Sequence, residues 1–135
     1  MVRYLLDSNA FIWAKEEPQR LSSQARQEFS APENRLFVSV ATLWELGIKA
    51  SKGKLPSYAY MLAHGPQALQ RSLAESRLEL LQIELQHVVA AYNLPRHHGD
   101  PFDRLLIAQA LAEHLVVITS DDAFRRYPGV RVLEI

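Results

Sequence analysis

Short apolar runs alternate with helical segments along this chain, and this alternation constrains its fold more than any other feature. Four nearly continuous apolar runs predict buried strands at residues 2–6, 36–38, 78–83 and 115–119. Each run is followed by a stretch with helix-starting residues and helical spacing. Buried strands separated by helices favour a parallel sheet with helices on both faces. The sequence therefore predicts an α/β fold with a central parallel sheet of four to five strands.

The best-marked helix boundary lies at Asp100 and Pro101. Aspartate is a strong N-cap and proline favours the first helical position, so a helix is predicted from there to about His114. The other predicted helices follow Asp7 and span residues 22–30, 39–52, 57–76 with a break at Gly65–Pro66, 84–93 and 121–126. Residues 130–133 are a candidate edge strand.

Acidic residues lie beside several of these elements. Asp7 and Asp121 follow predicted strands, Glu45 lies on the helix after the second strand, and Asp103 opens the helix before the fourth. In parallel sheets, ligands bind outside the carboxyl ends of the strands, so we expect several of these carboxylates at one end of the sheet. Clustered carboxylates repel one another unless a cation compensates their charge. An all-oxygen site suits Mg²⁺ or Mn²⁺.

Each acid also has a simpler interpretation. Asp7, Asp100 and Asp121 are all placed where an aspartate caps a helix. Glu45 precedes Lys49 by four residues, a spacing at which an exposed ion pair contributes only about 0.3 to 0.5 kcal/mol. Helix caps alone, however, have no reason to converge on one end of a sheet.

Composition narrows the classes of function. Fifteen basic and fifteen acidic residues cancel, so no bulk electrostatic attraction to nucleic acid is expected and any such contact is local. The absence of cysteine excludes disulfides and thiolate metal sites. No apolar stretch reaches the roughly 18 to 20 residues of a membrane span. A cytoplasmic protein that is not membrane-bound is therefore expected.

Four segments together resemble a known family. They read Leu-Leu-Asp7-Ser-Asn, Ala-Thr-Leu-Trp-Glu45-Leu, His98-Gly-Asp100-Pro-Phe-Asp103-Arg and Thr119-Ser-Asp121-Asp122-Ala-Phe124. In this order they resemble the PIN-domain nucleases and, within them, the VapC-type toxins of bacterial toxin-antitoxin (VapBC) pairs. The resemblance runs the whole length and implies a single PIN domain over residues 1–135.

The same resemblance implies an activity and partners. It implies a metal-dependent endoribonuclease in which Asp7, Glu45, Asp103 and Asp121 form the catalytic site and bind Mg²⁺ or Mn²⁺. The hydroxyls of Ser8 and Thr119 are then neighbours of that site. The implied partners are an RNA substrate, a small VapB-type antitoxin and a second copy of the chain. The antitoxin is expected to dock in a groove bordered by residues 57–76.

The sequence departs from the family pattern at two places. Ser8 stands where the family commonly has threonine, which keeps the hydroxyl. Asp122 adds a second acid, and the Thr-x-Asp-x-x-Phe spacing favours Asp121 over it as the ligand. Asp100 is interpreted as a cap, or as a helper outside the direct ligands.

Other polar and aromatic residues receive weaker assignments. Two histidines in a loop, His97 and His98, are expected at the surface without a catalytic role. The tryptophans Trp13 and Trp44 are predicted to lie in the core. Basic residues near the acids are expected either to be solvated or to contact RNA phosphates, and they are Lys49, Lys52, Lys54, Arg96 and Arg104.

Other α/β folds also place aspartates at strand ends. A haloacid-dehalogenase-type phosphatase requires Asp-x-Asp after the first strand, but this chain has Asp7-Ser-Asn there. A phosphoacceptor receiver domain needs a lysine after a late strand, which Thr119-Ser-Asp121 does not supply. A DNA nuclease of the same architecture and a metal-free binding scaffold are further alternatives. Retention of all four acids argues against the scaffold.

Overall fold

The computed structural model describes all 135 residues, and its centre is a five-stranded sheet in which every neighbouring pair is parallel. The order across the sheet is β3-β2-β1-β4-β5. The predicted parallel α/β fold is confirmed. The third and fourth strands are shorter than predicted, and the fifth begins later. The strands are β1 (Arg3–Leu6), β2 (Arg35–Ser39), β3 (Leu78–Leu81), β4 (Val116–Thr119) and β5 (Val132–Glu134).

Seven α-helices connect or follow the strands, and most begin where the sequence places a cap or a proline. Ser22, Ser39 and Asp100 each accept a hydrogen bond from a backbone N–H of the first helical turn. The break at Gly65–Pro66 separates two helices as predicted. The helices are α1 (Ser8–Glu16), α2 (Ser23–Ser30), α3 (Val40–Ser51), α4 (Pro56–Ala63), α5 (Pro66–Glu75), α6 (Leu85–Asn93) and α7 (Pro101–Glu113).

Two short segments differ from the expectation. Residues Pro18–Arg20 form a 3-10 turn that was not predicted, and Asp122–Arg126 form a 3-10 helix with Asp121 as its N-cap.

The sheet has an apolar core on each face, because successive side chains of a strand point to opposite sides. Leu5 of β1 packs on one face with Ile107 of α7, and Leu6 packs on the other with Phe11 of α1. Each such fully buried side chain stabilises the fold by roughly 1.5 to 3 kcal/mol. Helices therefore cover both faces, as expected.

The prediction that both tryptophans lie in the core is wrong. Trp44 is 65% exposed, and Trp13 is only partly buried, with the guanidinium of Arg20 stacked 4.1 Å from its ring centroid. Both residues follow helical apolar spacing, but that spacing does not distinguish a core face from an exposed apolar face. None of the helices is both long and apolar enough to cross a lipid bilayer.

The strand order changes direction at β1, which lies at the centre of the sheet. The chain places β2 and β3 on one side of β1 and β4 and β5 on the other. The carboxyl ends of β1 and β4 are therefore neighbours at the point where the order switches, which is where parallel α/β sheets bind ligands. The backbone N–H of Asp7 donates to Ile118 O at 3.1 Å and ties these two ends together.

Candidate active site

Asp7 lies immediately after β1 and is almost fully buried. Its Oδ1 accepts a hydrogen bond from Ala10 N at 2.8 Å, and its Oδ2 accepts one from the Thr119 hydroxyl. The carboxylate is thus a helix cap and also faces β4. The pKa of Asp7 is raised to about 6, chiefly by burial and in smaller part by the charges of Asp121 and Glu45, while its hydrogen bonds to Thr119 and Ala10 act in the opposite direction.

Thr119 and Asp121 follow one another at the end of β4. The Thr119 hydroxyl oxygen accepts a hydrogen bond from Asp121 N at 2.9 Å, and Asp121 Oδ1 accepts from Ala123 N at 2.9 Å. Asp121, and not Asp122, is among the charges that raise the pKa values of Asp7 and Asp103. This geometry supports the choice of Asp121 over Asp122 that the spacing indicated.

Glu45 lies on α3, one helical turn beyond its N-terminal end. Its Oε1 accepts a hydrogen bond from the Ser8 hydroxyl at 2.8 Å, which joins α3 to the start of α1. No ion pair with Lys49 forms within 4 Å. The alternative of an exposed Glu-Lys pair is therefore wrong, and Glu45 is directed towards Ser8, the neighbour of Asp7.

Asp103 lies in the first turn of α7, and Asp100 caps that helix. Asp100 Oδ1 accepts from Phe102 N at 2.9 Å and from Asp103 N at 3.0 Å. The pKa of Asp103 is raised to about 7, chiefly by burial and then by nearby negative charges; in decreasing order these are Asp100, Glu45, Asp121 and Asp7. The Asp103 carboxylate therefore lies within electrostatic reach of all three other predicted site acids.

The four acids form a cluster of uncompensated negative charge. No lysine or arginine nitrogen lies within 4 Å of any of their carboxylates. No three of these carboxylates have oxygens that all lie within 4.8 Å of one another, so the acids do not form a tight cage. Mg²⁺ usually keeps several waters and binds directly through one or two carboxylates. The oxygen-only donor set and the unpaired charge fit such an ion.

The structure places one residue in this site for which no role was expected. Nε2 of His98 lies 3.6 Å from Asp103 Oδ2, and both side chains are largely buried. His97 stays exposed, as expected. The sequence signal for His98 is only its position two residues before the Asp100 cap, and that position does not reveal that the loop folds back over α7.

Arg104 also differs from expectation, because it is buried and neither solvated nor free to contact RNA. Its guanidinium donates to Pro95 O at 2.9 Å, Ala91 O at 2.9 Å and Leu94 O at 3.1 Å. The side chain thus ties the end of α6 and the following loop to α7. The other four basic residues are exposed and make no ion pair, and they are Lys49, Lys52, Lys54 and Arg96.

A second group of possible metal ligands, Glu84, His87 and Glu113, lies at the other end of α7. Glu113 is ten residues from Asp103, or about 15 Å along the helix. Nδ1 of His87 accepts a hydrogen bond from Glu84 N at 3.0 Å, so the neutral ring carries its hydrogen on Nε2. That hydrogen faces Glu113 Oε2 at 2.9 Å. His87 therefore offers no lone pair to a metal, and the group links α6 to α7.

An apolar groove is lined by residues of α3, α4, α5 and β3. It encloses about 410 Å³, and Trp44 in its wall is the sequence neighbour of Glu45. Tyr58 and Leu62 of α4 and Leu69 of α5 contribute to its lining, so the helical pair predicted at residues 57–76 does border a groove. The remaining lining residues are Val40, Leu43, Gly47 and Leu80.

The amino-acid sequence is similar to those of known proteins. A PIN domain family model matches residues 4–130. Ribonuclease VapC22 of Mycobacterium tuberculosis is 30% identical over 128 residues, which cover 94% of this chain and 93% of that protein.

Solved structures show the same fold. VapBC2 from Rickettsia felis, bound to a DNA fragment from its promoter, gives a TM-score of 0.74 at 21% identity and covers 99% of both chains. DNA-bound VapBC from Salmonella typhimurium gives a TM-score of 0.67 at 25% identity over 99% of this chain and 98% of that one.

Proposed function

The chain belongs to the PIN-domain family, and we propose that it is a divalent-metal-dependent endoribonuclease toxin of the VapC type. Four acids from four separate segments converge at the switch point of the sheet without a basic counterion, and this observation carries the proposal. The match over residues 4–130 supports one PIN domain across residues 1–135. The proposed catalytic and metal-binding residues are Asp7, Glu45, Asp103 and Asp121, with Mg²⁺ or Mn²⁺ as the cation.

A bound divalent cation supplies two things in such a site: it lowers the pKa of a water ligand, and it stabilises negative charge on the scissile phosphate. The protein holds the carboxylates in position. The Ala10 amide and the Thr119 hydroxyl hold Asp7, and the Ser8 hydroxyl holds Glu45. In-line attack of water on the phosphodiester then leaves a 5′-phosphate and a 3′-hydroxyl.

RNA is the proposed substrate. Exposed lysine and arginine side chains near the acids are available to bind its phosphate backbone. Lys49 and Lys52 lie on and just after the helix that carries Glu45, and Arg96 lies on the loop before Asp100. None of them is held in an ion pair. Because the net charge is zero, RNA binding rests on these local contacts, and single-stranded or looped RNA is the expected form.

A VapB-type antitoxin is the proposed partner, and the groove at Trp44 is its proposed docking surface. An amphipathic helix binds such a groove through apolar anchors at helical spacing. The similar solved structures are VapBC complexes, which supports a partner of this kind.

The docking proposal is tested with Trp44→Lys, which we expect to weaken antitoxin binding about 10-fold or more while RNA cleavage persists. Tyr60→Lys is the matched control, since Tyr60 is equally exposed and lies outside the groove lining. Equal antitoxin affinity for the Trp44 variant and the wild type would contradict the assignment of the groove.

The toxin proposal is tested by induction in a bacterial host. Growth should stop when the wild-type chain is induced and resume when the antitoxin from the neighbouring small open reading frame is co-expressed. Asp103→Asn, induced to the same protein level, should not stop growth. Undisturbed growth with the wild-type chain would contradict the proposal.

We also propose a homodimer, for which α6 offers a surface. Its outer side carries an unbroken apolar stripe at helical spacing, and Leu85 is 86% and Tyr92 79% exposed. Val88 and Val89 complete the stripe. Such a patch on a small protein marks an interaction site. Light scattering should give a dimer for the wild type and a monomer for Val89→Glu, and a monomeric wild type would contradict this proposal.

A further inference from the structure

The His98 ring has one nitrogen that is buried without a hydrogen-bond partner. Nε2 has no accessible surface and makes no hydrogen bond, yet it points to Asp103 Oδ2 at 3.6 Å. The other ring nitrogen, Nδ1, lies 2.7 Å from the Tyr127 hydroxyl. A polar atom that is buried without a partner costs stability, so its position requires an explanation.

The neighbours of His98 decide which nitrogen carries the hydrogen. Arg104 Nη1 lies 3.3 Å from the Tyr127 hydroxyl oxygen and, as a guanidinium, can only donate to it. The hydroxyl hydrogen of the buried Tyr127 then has a single acceptor, which is His98 Nδ1. With Nδ1 as the acceptor, the neutral ring carries its hydrogen on Nε2. The donors thus run in one direction, from Arg104 through Tyr127 and His98 to Asp103.

We propose that His98 is a positioning residue that orients the Asp103 carboxylate for cation binding by donating its Nε2 hydrogen to Oδ2. The inference rests on the proposed function, since it assigns a cation to Asp103. The present 3.6 Å separation is longer than a hydrogen bond. Catalytic hydrogen bonds are often long in the free protein and shorten in the complex with substrate.

Arg104 makes this arrangement rigid. It holds the carbonyls of Leu94 and Pro95, so the loop that carries His98 is fastened to the helix that carries Asp103. Hydrogen bonds to metal-binding carboxylates commonly change metal affinity or activity by roughly 10- to 100-fold. We expect an effect of this size from loss of the His98 donor.

Two substitutions of His98 separate a positioning role from simple packing. His98→Gln places an amide N–H near the site of Nε2, whereas His98→Asn places one near the site of Nδ1. Mn²⁺ affinity of the purified chain, measured by calorimetry, should stay near wild type in His98→Gln and fall roughly 10-fold or more in His98→Asn. His97→Asn, in the same loop but exposed, is the matched control and should bind Mn²⁺ as the wild type does.

The tautomer of the His98 ring can be measured without metal and without an activity assay. Nitrogen NMR of the metal-free chain should show the ring hydrogen of His98 on Nε2. Tyr127→Phe removes the hydroxyl that donates to Nδ1, so a larger fraction of His98 should carry its hydrogen on Nδ1.

The outcomes distinguish a failure of the positioning role of His98 from a failure of the proposed function. If the wild type binds Mn²⁺ and both His98 variants bind it equally well, or lose affinity equally, the positioning role is wrong and the proposed function stands. A hydrogen on Nδ1 in the wild type would also overturn that role. If the folded wild type binds no Mn²⁺, the proposed function itself fails.

Discussion

The Thr119 hydroxyl donates a hydrogen bond to Asp7 Oδ2 across two neighbouring strands, although 112 positions separate the residues in sequence. The same hydroxyl oxygen accepts from the Asp121 amide at 2.9 Å. One threonine therefore links the acids that follow β1 and β4. Asp7 and Asp121 are thus fixed to each other at the ends of two paired strands, where rigid elements position a site more accurately than free loops do.

Removal of a site charge should stop cleavage without unfolding the chain. Asp7→Asn keeps an oxygen for the Ala10 amide, and Asp103→Asn relieves repulsion from neighbouring carboxylates. Metal-dependent RNA cleavage should disappear in each variant. Without metal, the melting temperature of Asp103→Asn should stay the same or rise, whereas Asp7→Asn should stay folded but melt slightly lower, because its Nδ2 replaces the oxygen that accepts from the Thr119 hydroxyl. A variant that melts normally and cleaves as well as the wild type would contradict the assignment.

Stability of the metal-free chain should fall as pH rises. The pKa values of Asp7 and Asp103 are raised to about 6 and about 7 from a usual 3.8, so the folded chain binds these protons more tightly than the unfolded chain. Their stabilising effect is complete at low pH and is lost as pH rises through this window. Thermal melts between about pH 4 and pH 8 should show the decline, and Asp103→Asn should make it smaller, because only the contribution of Asp7 then remains.

Added Mn²⁺ should have the opposite pH dependence, because a cation binds the charged form of a carboxylate. The gain in melting temperature on adding Mn²⁺ should be larger at about pH 8 than at about pH 5. A gain that does not change with pH would place the ion away from these two acids.

Asp100 is expected to act mainly as a helix cap. Asparagine caps about as well as aspartate, so Asp100→Asn should keep most of the cleavage activity and the stability, whereas Asp100→Ala should cost about 1 kcal/mol of unfolding free energy. Chemical denaturation and an RNA cleavage assay measure the two effects. Loss of activity in Asp100→Asn equal to that of Asp103→Asn would make Asp100 a direct ligand.

Arg104 should be essential for stability. Arg104→Met removes three hydrogen bonds from a charged donor to backbone carbonyls and leaves the Leu94 carbonyl without any donor, with an expected loss of about 3 kcal/mol of unfolding free energy. The melting temperature should fall by roughly 10 °C. Arg96→Met, on the exposed part of the same loop, is the matched control and should melt as the wild type does.

Most of the fold could be predicted because its signals are local. Apolar runs and caps such as Ser39 and Asp100 identified the strands and the starts of the main helices, and strand-end acids indicated the edge at which they gather. The burial of Arg104 and the contact of His98 with Asp103 could not be predicted. Both depend on how the loop after α6 folds over α7, which is a tertiary relationship that no short sequence pattern encodes.

The exposure of Trp44 has a similar explanation. Helical spacing shows that apolar residues share a face, but it does not show what covers that face. Trp44 lines an open groove in the isolated chain, and we propose that a partner covers it.

The most direct test of the central proposal is to sequence the ends of RNA produced by the purified wild type and by Asp7→Asn, each with Mn²⁺ and with a chelator. We predict discrete internal cuts with 5′-phosphate and 3′-hydroxyl ends for the wild type with Mn²⁺, and none in the other three reactions. Cuts of the same position and yield from Asp7→Asn, or from the wild type with chelator, would contradict a metal-dependent nuclease site at these acids.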